Sequence, residues 1–402
     1  MLLNDITFIQ RQARTYVEKC CKVLKIEGKT IVGFSEHMSK QRITAWGGTS
    51  SALRLFSITG NTPDQDIEEK VKKAKQWLVN DQKEEGSWEA SGMPCCEATA
   101  GVIYDVGNRG VLSEVQIEKA KDFINSCYSL GSQGGFFRSR PDIREVNVHL
   151  YTTFLAVRAL WQIGKIEPGK KEEIKAFIRR ARASDGRWGG LYQEVRGTVE
   201  HTVMALLVLY YCGEPREAIK SEYENEIRWL RKQTRNCSKQ ENMFAQEETK
   251  AVSKYYYNGQ DQYGEKEWKL NTHHFKLALM CKLFLILGEY DYCNRLIVKM
   301  IKIRETQGGW GRTTEGNSYI WATLQAVEAM HDFETLILGG RKASLSTRVK
   351  LLTYKVPHFW IRTAFFVLAI PSLIYFIISG MLAEIALNAM FILFTWFVDI
   401  DD

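Results

Sequence analysis

One spacing governs most of this 402-residue chain: an apolar residue, a polar residue four places on, a glycine four further, and an aromatic two beyond the glycine. Leu78, Gln82, Gly86 and Trp88 set it. Ile178, Arg182, Gly186 and Trp188 repeat it at identical intervals, as do Met300, Arg304, Gly308 and Trp310, while Leu130, Gly134 and Phe136 keep only the second half. Self-similarity at a period of tens of residues marks an array in which each unit buries its face on the next. The segments that lead into each glycine are charged and amphipathic, so they are predicted as an outer layer of helices.

A second segment recurs after each aromatic: a polar or small start, an apolar run, and a closing glycine. GGTSSALRLFSITG ends at Gly60, CCEATAGVIYDVG at Gly107, YTTFLAVRALWQIG at Gly164, HTVMALLVLYYCG at Gly213 and HFKLALMCKLFLILG at Gly288. NSYIWATLQAVEAM lacks the glycine. Each run is long enough for three or four turns, apolar nearly all round, and closed by a residue suited to a left-handed C-cap. A helix apolar on every side is a buried one. The chain is therefore expected to be all-α: a closed α/α toroid of about six inner and six outer helices.

The stretch Lys73 to Trp88, KAKQWLVNDQKEEGSW, resembles the QW repeat of the terpenoid cyclase and protein prenyltransferase superfamily through Lys73-Ala74, Trp77, Leu78, Gln82, Gly86 and Trp88. The likeness extends over roughly residues 40–332. It implies the toroid fold, with Gln82 capping helix ends and stacking on Trp88 to tie neighbouring outer helices together. Trp188 and Trp310 would repeat half of that arrangement, and Phe136 marks the degenerate copy. Chemistry does not follow from a fold that hosts many reactions.

Net charge is +7 and lysines alternate with acids along the helices, which is a solvated-face pattern and points away from nucleic acid. Nine cysteines include the adjacent pairs Cys20/Cys21 and Cys95/Cys96 without a CxxC, which fits a reducing compartment. Charges where a signal peptide needs an apolar core place the toroid on the cytosolic side. The boundaries read as residues 1–39, a helical segment of the outer layer; 40–335, the toroid; 336–358, a basic linker; and 359–402, a membrane hairpin with an acidic tail.

The hairpin rests on two uncharged stretches, Thr363 to Gly380 and Ile385 to Val398. A single helix through both would be about 50 Å long, far beyond a bilayer's hydrocarbon, so a reversal near Gly380 to Glu384 is required. Arg341, Lys342, Arg348, Lys350, Lys355 and Arg362 precede the first arm and hold that side in the cytoplasm by the positive-inside rule. Pro371 bends that arm without breaking it.

Inner helices of a toroid start at one end of the lumen, and their positive dipole ends converge there. Those starts hold Cys95, Cys96, Glu97, His149, Glu200, His201, His273, His274 and Tyr319. From them, Cys95, Glu97, His149, Glu200, His201, His273 and Tyr319 are taken as the candidate ligand-binding set; capping and interface roles at a wet end explain the same residues. The superfamily's motifs fare poorly. The one DxDD string, Asp399 to Asp402, is at the chain end, and no DDxxD occurs. Asp291-Tyr292-Cys293 has the spacing of the prenyltransferase zinc ligands but opens an outer helix. At Cys95-Cys96-Glu97-Ala98-Thr99 no glutamine stands where a thioester needs one. No cofactor or metal is implied. Between Trp229-Leu230 and Trp268 an insertion containing SKYYYNGQDQYG reads as a long loop, a lid or a partner surface through Tyr255, Tyr256 and Tyr257.

Three functions fit. One is a membrane-anchored toroid that binds a ligand or protein without catalysis and passes the event to the hairpin. A second is an enzyme of the cyclase or prenyltransferase type acting on an isoprenoid or other lipid. The third is a membrane-perturbing effector, which looks like some bacterial defence effectors in architecture. The partners these readings invoke are the bilayer, an isoprenoid or other lipid ligand, and a protein partner or self-association.

Overall fold

The computed structural model describes residues 2–338, except 27, 61–63, 91, 142–143, 146–148, 191, 193–194, 237–243, 257–262, 306 and 312–317. The linker beyond residue 338, the expected hairpin and the acidic tail lie outside the described residues. Among the described residues, no helix is long and apolar enough to cross a membrane.

The inner layer is α2 (Ser50–Thr59), α4 (Cys96–Val106), α6 (Leu150–Gln162), α8 (Val199–Tyr211), α11 (Lys276–Leu287) and α13 (Ile320–Leu338). Each packs on the next, and α13 returns to α2, so the ring closes. The outer layer is α1 (Leu2–Lys19), α3 (Gln65–Asn80), α5 (Glu114–Ser126), α7 (Pro168–Arg180), α10 (Glu224–Asn236), preceded by the short α9 (Arg216–Glu222), and α12 (Tyr290–Lys302). Burial follows the sequence pattern. Every residue of α8 from Glu200 to Leu209 is buried, whereas α5 buries only Ala120, Phe123 and Ile124. Each large apolar side chain so enclosed contributes about 1.5–3 kcal/mol.

Outer helices begin on local signals. Asp64 accepts from the backbone of Asp66 and Ile67 at the start of α3, Ser113 and Gln116 form a capping box at α5, and Pro168 opens α7. Helix α1 seals the outer ring against the last corner: Tyr16 hydrogen-bonds the Ser318 carbonyl and Gly308 abuts the carbonyl of Gln12.

The corners between layers share one geometry. Trp88 Nε1 donates to the Leu78 carbonyl at 3.0 Å, Trp188 Nε1 to Ile178 at 2.7 Å and Trp310 Nε1 to Met300 at 2.9 Å. In each case the indole caps the outer helix that led to it. The backbone N–H of each then donates to a threonine at the head of the next inner helix: Trp88 to Thr99 at 3.0 Å, Trp188 to Thr202 at 3.4 Å and Trp310 to Thr323 at 3.2 Å. Two further corners do the same, Phe34 to Thr49 at 3.0 Å and Phe137 to Thr153 at 3.1 Å. Gln82 Nε2 bridges the carbonyls of Gly86 and Gln116, both at 2.9 Å, which ties α3 to α5.

Several expectations are corrected. At the degenerate corner the residue bonded to the inner-helix threonine is Phe137, not Phe136; Phe136 packs on Phe177 instead, with ring centroids 5.7 Å apart. The hairpin Tyr128–Gly131/Gly134–Phe137 shifts the aromatic by one place there. Residues 1–39 are not wholly helical, because Cys21–Ile26 pairs with Lys29–Phe34. β-Branched Val23, Ile26, Thr30, Ile31 and Val32 around the turn at Gly28 favour strands there. The insertion read as a loop carries a long antiparallel ribbon, Phe244–Tyr256 with Tyr263–Phe275. Tyr255, Tyr256, Tyr263 and Trp268 are of types favoured in strands, a signal that a search for helical periods passes over. Gly107 stays right-handed at φ −59°, and the positive φ falls at Gly110.

Candidate functional site

The corner threonines set the rotation of the inner helices. A threonine that accepts from its corner faces outward, so at 100° per residue the position five places on lies about 140° away, and the position two places before lies about 160° away. Both therefore face the lumen.

At the mouth, the residues two places before the threonines are Glu97, Tyr151, Glu200 and Trp321. The expected ligand set thus divides. Glu97 and Glu200 share the lumen-facing register. Glu97 Oε1 accepts from Ser139 Oγ at 2.6 Å and Thr152 Oγ1 at 2.5 Å, which joins α4 to α6. Glu200 is buried, with Lys276 Nζ 4.0 Å from its Oε2. Cys95 is the N-cap of α4, its Sγ accepting from the Ala98 N–H at 3.3 Å, and burial pushes its thiol well above the ordinary range. His149 is the N-cap of α6 without a capping bond; burial lowers its pKa, and nearby Glu97 opposes this only in part. His201, 1 % exposed, turns back to its own helix cap, with Nδ1 2.9 Å from Thr198 Oγ1. Tyr319 packs edge-on against His37 at 5.1 Å. His273 lies not on α11 but on the strand before it, with its backbone opposite Gln246. The structure therefore gathers Cys95, Glu97 and His149 at the α4–α6 end and Glu200 near Lys276, but His201 and Tyr319 do local packing work.

The concentrated chemistry lies deeper, five places after the threonines. There stand Arg54, Tyr104, Arg158, Leu207 and Glu328, with Lys282 from α11: one residue from each inner helix. Glu328 Oε1 accepts from Arg54 at 2.7 Å, from Lys282 Nζ at 2.7 Å and from the Tyr104 hydroxyl. The guanidinium carbons of Arg54 and Arg158 sit 3.9 and 3.7 Å from the Tyr104 ring centroid. Two planar guanidinium groups that near one centroid do not fit side by side on one face, so they clasp the ring from opposite faces. Beside Tyr104 on α4, Asp105 Oδ2 accepts from Ser50 Oγ at 2.8 Å and Ser51 Oγ at 2.9 Å.

Burial drives these titrations. It would raise the Glu328 carboxyl, but Arg54 and Lys282 overcome it and hold Glu328 well below the usual range. Burial works to lower the Lys282 ammonium, and Glu328 reverses that. Asp105 is pushed up by burial despite Arg54 and its serine donors, and Asp332 by burial and the charge of Glu328. Tyr211, also buried, is pushed up to about 12 by burial.

This layer lies within the apolar runs, away from the helix starts that hold the candidate ligand set. The signal was present: TSSALR, TAGVIY, TFLAVR and TLQAVE each place a charged or phenolic residue five after a threonine inside an apolar run, and TVMALL carries leucine there.

Asp291 and Cys293 lie on α12, with Cys293 Sγ directed at the Cys281 carbonyl of α11, 3.6 Å away. Among the described residues, no group of three or more His, Cys, Asp or Glu side chains is placed to hold a metal ion.

The sequence profile of the prenyltransferase alpha-alpha toroid domain matches residues 97–257. A comparison with curated proteins finds no match. Similar solved structures include an alpha-amylase from Clostridium perfringens, 14% identical over 81% of this chain and 98% of that one, TM-score 0.51. Others are the type II terpene cyclase MstE from Scytonema, 11% identical over 83% and 98%, TM-score 0.47, and protein geranylgeranyltransferase-I from Candida albicans in complex with GGPP, 10% identical over 71% and 83%, TM-score 0.41. Likeness at this level shows fold and nothing of chemistry. With its closed inner ring, the chain is an α/α toroid.

Proposed function

We propose that this toroid is a non-catalytic binding module, held on the cytosolic face of a membrane by the apolar stretches Thr363 to Gly380 and Ile385 to Val398. It takes a ligand or protein partner and passes the event to those stretches. One observation carries the reading: the middle of the ring, where a cyclase or transferase needs room for its substrate, is crossed by an ionic layer joining every inner helix but α8. The carboxylate of that layer, Glu328, is engaged by three donors, and Glu97 by two. Such carboxylates are ill placed to exchange protons with a substrate. Association of neighbouring copies so as to perturb the bilayer is a variant of the same reading.

The test is membrane attachment of the full chain. Alkaline extraction should leave it in the pellet, and Leu368→Asp with Ile377→Asp should release it with the toroid's melting temperature unchanged. A charge at mid-bilayer costs about 2.5–3.5 kcal/mol. Wild-type protein recovered in the supernatant would overturn the membrane part of the reading.

The enzyme reading, with an isoprenoid or other lipid as substrate, draws on the mouth, where His149 Nε2 and Glu200 Oε2 are enclosed and lack a hydrogen bond among the described residues. Turnover of an isoprenoid substrate that disappears in Glu200→Gln would favour it over the binding module.

A further inference from the structure

Arg158 is 9 % exposed, yet no hydrogen bond to a described residue engages its guanidinium. Its Nε is fully enclosed without an acceptor among the described residues, and its guanidinium carbon lies 3.7 Å from the ring centroid of Tyr104 and 5.0 Å from that of Phe154. A guanidinium carries five N–H donors, and leaving the enclosed Nε–H unmet is expensive. The hydroxyl of Tyr211, from the next inner helix and near enough to feel the charge of Arg158, is likewise enclosed, with no partner among the described residues. Lys282, coupled to the same Tyr211, uses two acceptors, Glu328 and the Tyr104 hydroxyl, and an ammonium has three protons. Three inner helices thus direct unused donors into one region of the lumen.

The charge balance has the same sign. Arg54, Arg109, Arg158 and Lys282 face Glu328, Asp105 and Asp332, and the last two are pushed toward their protonated forms. A cation–π contact offsets part of the desolvation of Arg158 but supplies no hydrogen-bond acceptor. What the arrangement lacks is a compact anion with several oxygens, able to take two parallel bonds from a guanidinium and one each from a phenol and an ammonium.

We propose that Arg158, Tyr211 and Lys282 form a binding site for a phosphate-type oxyanion in the lumen. The site deepens the binding-module reading and rests on it: the anion is the recognised group of the ligand. It could belong to a soluble phosphorylated molecule or to a phospholipid headgroup, which the hydrogen-bonding chemistry does not separate.

The probe is inorganic phosphate, titrated into the full-length protein in detergent against sodium chloride at matched ionic strength, with the melting temperature as readout. Phosphate should raise it saturably and chloride should not. Arg158→Met, which keeps the chain length and removes the donors, should abolish the effect. Tyr211→Phe removes only an unpartnered hydroxyl, so it should fold as wild type and bind phosphate several-fold more weakly. Lys72→Gln, an exposed change, should bind as wild type. Chloroform–methanol extraction of purified protein followed by 31P spectroscopy then separates the sources. Stoichiometric phosphorus in the organic phase identifies a headgroup, and in the aqueous phase a soluble molecule; either must vanish in Arg158→Met. Absence of a saturable phosphate effect, or an equal effect in Arg158→Met and Tyr211→Phe, overturns the site. Membrane attachment is read separately, so the site and the anchored-module reading fail independently.

Discussion

Arg54 and Glu328, 274 residues apart in the chain, meet at 2.7 Å where the first and last inner helices close the ring. Both side chains are nearly buried, at 5 and 10 % exposure, so solvent screens the pair little. Lys282 reaches the same carboxylate oxygen from α11. Glu328 is the acceptor on which the seam of the toroid converges, and each of the cations around it depends on its charge.

Removing that charge should therefore cost far more than an ordinary surface ion pair. Glu328→Gln keeps the volume but leaves Arg54 and Lys282 without their carboxylate, and loss of one member of a buried pair typically destabilises by about 3–5 kcal/mol. Urea unfolding should show a loss of that size. The double change Arg54→Leu with Glu328→Leu should be less damaging than the sum of the single changes, because it leaves fewer unpaired charges. Additive losses would mean that the two residues act separately.

The corner threonines yield a second expectation. Thr99→Val and Thr202→Val remove the acceptor of a buried tryptophan N–H while preserving shape, which should cost about 1–3 kcal/mol each. The corners share no partners, so the double variant should lose nearly the sum. Chemical denaturation of the three variants measures this. A change under about 0.5 kcal/mol would show that the shared bond does not hold the corner.

How much of this was legible depended on which residues repeat. The glycine–aromatic frame and the buried runs carry the toroid openly, because Trp88, Trp188 and Trp310 occupy equivalent corners and the runs between them become the inner ring. The mouth was half legible: Glu97 and Glu200 were found by position, but whether a polar side chain there faces the lumen or its own cap depends on helix phase. His201, one place from the threonine, turns away for that reason. Arg54, Arg158, Lys282 and Glu328 are single charges within apolar runs, and each looks like an isolated exception. Their meaning emerges once the threonines align the helices and place four inner helices around one carboxylate. The paired strands Phe244–Tyr256 and Tyr263–Phe275 carry no helical period, so a pattern of helical repeats hides them.

Two glycines with similar backbone angles should respond very differently to a methyl group. Gly288 has φ +77°, and nothing lies within 4 Å of where its Cβ would be, so Gly288→Ala meets only the left-handed backbone penalty of about 1–2 kcal/mol. Gly86 has φ +93°, and its Cβ would fall 2.2 Å from the Lys119 carbonyl oxygen on α5. Backbone cannot yield as a side-chain tip can. Gly86→Ala should therefore cost about 4 kcal/mol or more, or prevent folding, since the layers must part at that corner. Similar melting temperatures for the two variants would contradict the close approach of the Gly86 corner to α5.

His149 should give stability a pH dependence of defined sign. Burial lowers its folded pKa, with Glu97 opposing only in part, so the folded chain holds this proton less readily than the unfolded chain does. The unfolded value is about 6.5. Above it both states are neutral and the full stability is present; as pH falls through and below it, the unfolded state takes up the proton first and the native state loses ground. His149 provides no capping bond to α6, so His149→Gln removes the titration without removing a cap. Melting temperatures of wild type and His149→Gln should run parallel from pH 8 to 7, then diverge toward pH 5, with the wild type falling more steeply. Parallel curves throughout would place the proton-linked loss on another group, and a shallower wild-type curve would mean that Glu97 outweighs burial at this site.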